Sequence, residues 1–183
     1  MRMLAFSAAL LAASPALAAS WVLQPQSSML GFSGTQTGTA FTGSFTKWTA
    51  QIAYDPAHPA AAHIHIAIDT ASAHTGDSQK DQAMPDSDWF DSAAFPAAVF
   101  DASGFTPLGG DKFTTAGTLT IRGTARKITL PFTLDVAGGT ATAKGQISLT
   151  RTDYGVGQGA WTSGAYVGLP VDVTFTVVAK QGS

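Results

Sequence analysis

From about residue 28 onward, apolar and polar residues alternate with period two along most of the chain, the mark of strands with one buried face. The clearest run is His63 to Asp69, where Ile64, Ile66 and Ile68 share one face and His63, His65 and Asp69 the other. Ile128, Leu130, Phe132, Leu134 and Val136 alternate with Thr129, Pro131, Thr133 and Asp135, and Val171, Val173, Phe175 and Val177 with Asp172, Thr174 and Thr176. Weaker strands are expected over Ser28–Gly34, Phe41–Tyr54, Val99–Phe105, Phe113–Ile121 and Ala141–Thr150. Gly109-Gly110-Asp111, Ala137-Gly138-Gly139 and Gly123 supply the positive φ that tight reversals need. Pro131 has no N–H for a ladder, so it implies an edge, a bulge or a break in its strand.

Two stretches depart from this rhythm. Thr70–Pro96 is long and polar and does not alternate. Within it Asp77 or Ser78 is placed to cap a short helix that Pro85 would end. A segment of this kind in a small domain is usually functional or a lid. At the other end of the chain, Arg2 precedes the apolar run Leu4–Leu11 and the small-x-small site Ala16-Leu17-Ala18. That order reads as a secretory signal over residues 1–18, with a single mature domain over 19–183; a buried N-terminal helix is the other reading. About eight successive strands joined by short turns favour an all-β, closed up-and-down antiparallel barrel over a two-sheet sandwich, because closure removes exposed strand edges.

Composition narrows the chemistry. There is no cysteine, and the 12 acidic residues are all Asp. Stability therefore comes from packing, without disulfides or thiol chemistry. The net charge of -2 falls further once Arg2 is removed, which excludes a nucleic-acid-binding surface. There is no G-x-S-x-G nucleophile elbow. Asp86 and Asp88 have the spacing of a carboxylate pair but stand where turn-capping Asp residues are common. His63 and His65 share a strand face and could ligate one metal; incidental surface histidines are the simpler reading. No enzyme activity, cofactor or metal is expected.

Four motifs, in order, resemble those of one family. Gly43-Ser44-Phe45 with Trp48 comes first. Ile68-Asp69-Thr70 follows, leading through Asp81 to Ser87-Asp88-Trp89-Phe90-Asp91 and Phe95-Pro96. Then come Gly117-Thr118-Leu119-Thr120-Ile121-Arg122-Gly123-Thr124 and Arg151-Thr152-Asp153-Tyr154-Gly155-Val156. Together they resemble the YceI-like, polyisoprenoid-binding family along nearly the whole mature chain. Met84 stands where that family usually has Leu.

The resemblance implies a lipocalin-like antiparallel barrel in the bacterial periplasm, with a long isoprenoid lipid (a polyprenyl phosphate or a quinone tail) in its interior. A membrane b-type cytochrome is the partner implied by a second reading, in which the protein is an envelope interaction module with a packed barrel. A homodimer through strand edges or barrel ends is a further candidate assembly.

Burial of an apolar tail suffices energetically. At ~25 cal/mol per Å², an isoprene unit covering about 100 Å² gains on the order of 2.5 kcal/mol. A few such units exceed the roughly 4–15 kcal/mol cost of association. Candidates for the lining are Phe32, Phe41, Phe45, Trp48, Ile64, Ile66, Ile68, Phe90, Phe100, Leu119, Leu130, Phe132, Leu149 and Phe175. Each could equally be an ordinary core residue. Lys80, Arg126 and Arg151 are candidates for a charged headgroup, with Arg151 alternatively paired to Asp153 or another Asp. Trp89 and Phe90 read as a lid or plug, and Trp161 as a mouth residue or part of an irregular hairpin.

Overall fold

The fold, taken from a computed structural model, is described here for residues 19–182; the expected signal segment lies outside the described residues. Eight antiparallel wall strands form a closed meander. The last four are continuous: β9 (Lys112–Ile121), β10 (Thr124–Ala137), β11 (Thr140–Thr150) and β12 (Pro170–Gln181). Each of the first four is broken into two pieces. They are β1 (Ala19–Leu23) with β2 (Met29–Gln36), β3 (Thr39–Phe45) with β4 (Trp48–Tyr54), β5 (His63–Asp69) with β6 (Ala73–His74), and β7 (Ala97–Ser103) with β8 (Thr106–Gly109). β12 closes the ring on both pieces of the first strand, with Trp21 opposite Gln181 and Phe32 opposite Val173.

The breaks have local causes. Pro25 opens a single 3-10 turn between β1 and β2. Ser28 repairs the ladder there: its hydroxyl donates to the Gln24 carbonyl at 2.8 Å and accepts from the Val178 N–H at 2.9 Å. Across the next two breaks, Ser72 Oγ accepts from the Lys47 N–H at 3.1 Å and donates to the Asp69 carbonyl at 2.7 Å. The buried Thr70 donates to the Phe95 carbonyl at 2.8 Å, and at the break in the fourth strand the Gly104 carbonyl accepts from Thr115 Oγ1 of β9 at 2.8 Å. Small hydroxyl residues thus satisfy the backbone groups that the breaks leave unpaired.

The expected strands are present, with three differences. The predicted strand Phe41–Tyr54 is two, interrupted at Thr46–Lys47. Ala19–Leu23, too short to show a period, is a strand that the alternation did not reveal. Pro131 lies inside β10, paired with Thr114 of β9 on one side, while on the other side the β10–β11 ladder stops at Phe132 opposite Gly145. The proline thus makes a local edge within a closed barrel. The tight reversals at Thr37-Gly38, Arg122-Gly123 and Gly138-Gly139 all have positive φ at both central residues, the hairpin geometry that matches strand twist.

One end of the barrel is sealed. Phe105 packs against Tyr54, Phe132 and Phe113 with ring centroids 5.2, 5.0 and 6.5 Å away, and Trp21 Nε1 donates to the Tyr54 carbonyl at 2.9 Å. The opposite end carries the irregular segments. Helix α1 (Ser78–Ala83) is capped by Asp77, whose carboxylate accepts from the N–H groups of Gln79 at 2.9 Å and Lys80 at 3.3 Å. The segment after it crosses that end and meets the loop that follows β11.

Candidate functional site

The inward faces of the wall strands do not meet. They enclose a cavity of ≈ 180 Å³ that exposes no polar atoms and runs up from the Trp21–Tyr54–Phe105 plug. A second cavity of ≈ 370 Å³ lies above it, under α1 and the two loops. Phe45, Phe90, Ile121, Leu149 and Val173 belong to both walls and form a waist, where the rings of Phe45 and Phe90 meet edge-on at 5.7 Å. The inward faces leave a bore between them, which counts against the packed barrel of the interaction-module reading.

All fourteen sequence-selected lining residues face this space. Trp48, Ile64, Ile66, Ile68, Phe100, Leu119, Leu130, Phe132 and Phe175 line the lower chamber. Phe32 and Phe41 line the upper one, and Phe45, Phe90 and Leu149 line both. The selection missed Trp21, Tyr54 and Phe105 at the sealed end, and Ile52, Ile147 and Val171 on the walls. Val171 already stood at an inward position of the alternation; Trp21 lies in a strand too short to show a period, and Phe105, out of step with Phe100 in the expected strand Val99–Phe105, turns inward because that strand breaks at Gly104.

The three headgroup candidates separate. Lys80 is at the upper chamber, with Nζ 2.6 Å from Asp77 Oδ2 and 5.9 Å from the centre of the Phe41 ring. Arg126 is exposed on the outer wall, where Nε donates to the Asp153 carbonyl at 3.2 Å, and it lines neither chamber. Arg151 is only 5% exposed. Its guanidinium donates to the carbonyls of Gly168 at 2.9 Å, Val156 at 2.8 Å and Val167 at 2.8 Å, and to that of Trp161. No acidic side chain pairs with it among the described residues. The expected Arg151–Asp pairing is therefore replaced by a fork of backbone carbonyls, and burial pushes its pKa down. The fork holds the loop from Tyr154 to Gly168 in place, and the Trp89 ring lies 5.4 Å from the guanidinium carbon.

The roof is tied down from several sides. The Asp88 carbonyl accepts from the N–H groups of Gly157 at 2.9 Å and Gln158 at 2.7 Å. Arg122 donates to the carbonyls of Ser87 and Gly155, both at 2.7 Å, and Trp89 packs on Trp161 with centroids 5.5 Å apart. Phe90, from the same cluster as Trp89, forms part of the waist. The carboxylates of Asp86 and Asp88 are exposed and line neither chamber. His63 and His65 face outward, with Nδ1 2.9 Å from Ser103 Oγ and 2.6 Å from Asp101 Oδ1. Among the described residues, three potential metal ligands nowhere come together.

The sequence and the fold both have counterparts among known proteins. The YceI-like domain model matches residues 21–179. The chain belongs to the YceI-like family. A UPF0312 protein from Pseudomonas syringae is 30% identical over 187 residues, covering 97% of this chain and 96% of its own. Among solved structures, this YceI-like barrel resembles Burkholderia cenocepacia BcnA, with a TM-score of 0.83, 33% identity and coverage of 86% of this chain and 99% of that one. It also superposes on a structure described as a polyisoprenoid binding domain from Saccharophagus degradans. That match has a TM-score of 0.71 at 17% identity and covers 91% of this YceI-like chain and 100% of the other.

Proposed function

We propose that this protein is an exported, periplasmic lipid-binding protein that holds one long isoprenoid chain, of polyprenyl phosphate or quinone type, along the bore without transforming it. The observation that carries the reading is the bore itself: an apolar channel sealed by aromatic rings at one end and roofed at the other, where Lys80 stands beside Phe41. The sealed chamber offers a tail no polar competitor, and the polar atoms gather where a head would lie. The two chambers together fall in the size range of small-molecule pockets, roughly 300–1,000 Å³. The described binding of the Saccharophagus domain, and the order of charge, apolar run and cleavage site in residues 1–18, point the same way.

Native mass spectrometry of the protein recovered from a bacterial periplasm tests the proposal. The expected spectrum shows a mature chain starting near Ala19 or Ser20 and a bound species that releases an isoprenoid on extraction. A ligand-free protein with no affinity for geranylgeranyl phosphate or a long-tailed quinone overturns it.

A further inference from the structure

The barrel wall is closed as a ring but not along its whole height. β10 and β11 pair only from Phe132 opposite Gly145 to Ala137 opposite Thr140. Toward the roof, residues 124–131 of β10 pair with β9 alone, and residues 146–150 of β11 pair with β12 alone. The ladder ends at Pro131, which has no N–H to donate. Ile128 and Leu130 on one free edge, and Ile147 and Leu149 on the other, line the cavity and are only partly buried. Their neighbours on the outer face, Thr129, Gln146 and Ser148, are exposed and polar. The turn Arg151–Tyr154 closes the top of this gap, held to β10 by the bond from Arg126 to the Asp153 carbonyl. The result is a window of unpaired backbone in the wall, apolar on its inner side, where its residues line the bore, and polar on its outer side.

The other routes into the bore are obstructed. The lower end is filled by packed aromatic rings. Under the roof, an end-on chain must pass the Phe45–Phe90 waist, beneath a lid fixed by the bonds to Asp88, Ser87 and Gly155. Lifting that lid breaks several hydrogen bonds at once. Widening the window breaks no ladder bond between its two edges, because none is formed there.

We infer that this window is a lateral portal through which an apolar chain passes sideways into and out of the bore, leaving its polar head at the roof. The inference rests on the proposed lipid-binding role. It assigns the throat residues Ile128, Leu130, Ile147 and Leu149 to exchange rate, and it gives Pro131, inside a wall strand, a role.

The native chain has no cysteine, so the portal can be locked specifically. Continuing the β10–β11 register places Thr129 opposite Ser148. A Thr129→Cys/Ser148→Cys protein oxidised to the disulfide bridges the window. Thr133→Cys/Lys144→Cys bridges the same two strands where they already pair. A second lock is a bulky maleimide on Thr129→Cys, with the same label on Lys144→Cys as its control. The readout is the association and dissociation of a geranylgeranyl chain carrying an anthraniloyl fluorophore at its head.

The window lock or its bulky label is expected to slow both rates at least tenfold while the equilibrium affinity stays within about twofold. Reduction restores the disulfide-locked protein, and neither control changes. Binding with unchanged rates in both window variants overturns the portal alone. Failure of the unmodified protein to bind the fluorescent chain overturns the lipid-binding role, and the portal with it.

Discussion

Arg151 is the residue whose role the structure changes most. Its position in a late motif marks it as important without saying whether its charge meets a ligand or its shape holds the fold. Four carbonyls around one planar guanidinium favour shape, because that fork cannot be reproduced by an ammonium. Arg151→Lys keeps the positive charge and loses the fork. The expected result is a loss of about 2–3 kcal/mol in urea unfolding, since buried carbonyls are left without donors. Faster amide exchange from Tyr154 to Gly168 should accompany it. A Lys variant as stable as the native protein would return Arg151 to the role of headgroup cation. The lining residues were readable for a different reason: alternation fixes which side chains share a face, and an inward face of a barrel has one interior to meet. The carbonyl fork was not readable, because backbone acceptors contributed by a folded loop leave no mark in side-chain identity.

Among the elements, the lid helix is the one whose attachment depends on pH. Asp81 Oδ1 accepts from the Thr75 N–H and hydroxyl, both at 2.7 Å, and Oδ2 lies 2.6 Å from His74 Nδ1. The Thr75 backbone bond is the largest influence holding the Asp81 carboxyl below its ordinary value of 3.8. The bond from the Lys80 side chain does the same for Asp77 at the cap. A lowered carboxyl pKa contributes stability that is present above the unfolded value and lost as pH falls through the folded one. The lid should therefore loosen below about pH 4 while the barrel strands hold, seen as faster exchange of the Thr75, Gln79 and Lys80 amides. Asp81→Asn should make the Thr75 amide exchange fast at neutral pH and abolish its acid transition. The helix was legible from Pro85 and from Asp77 and Ser78 as alternative caps, of which the structure uses Asp77. The tie to Thr75 was not, because it needs the chain to reverse at Gly76, with its φ of 83°.

At the scale of the whole molecule, the decisive property is that the inward faces stand apart and enclose an apolar bore. Val173→Trp places a large ring at the waist. In a packed core such overpacking costs roughly 1–3 kcal/mol. In this bore it should cost less, leave the melting temperature within a few degrees of the native value, and still weaken binding of a geranylgeranyl chain at least tenfold. Severe destabilisation without any change in binding would indicate an interior that is packed in solution. The sequence by itself determined the β class, the meander with its reversals at glycine pairs, the inward and outward faces and the capped helix. All of these follow from local backbone preference and the period of two. Only the tertiary structure decided that four wall strands are broken, that Arg151 clasps carbonyls, that the inward faces stand apart, and that the wall opens beside Pro131. These depend on the distance between elements far apart in the chain, which strand closure fixes and hydrophobic periodicity does not encode.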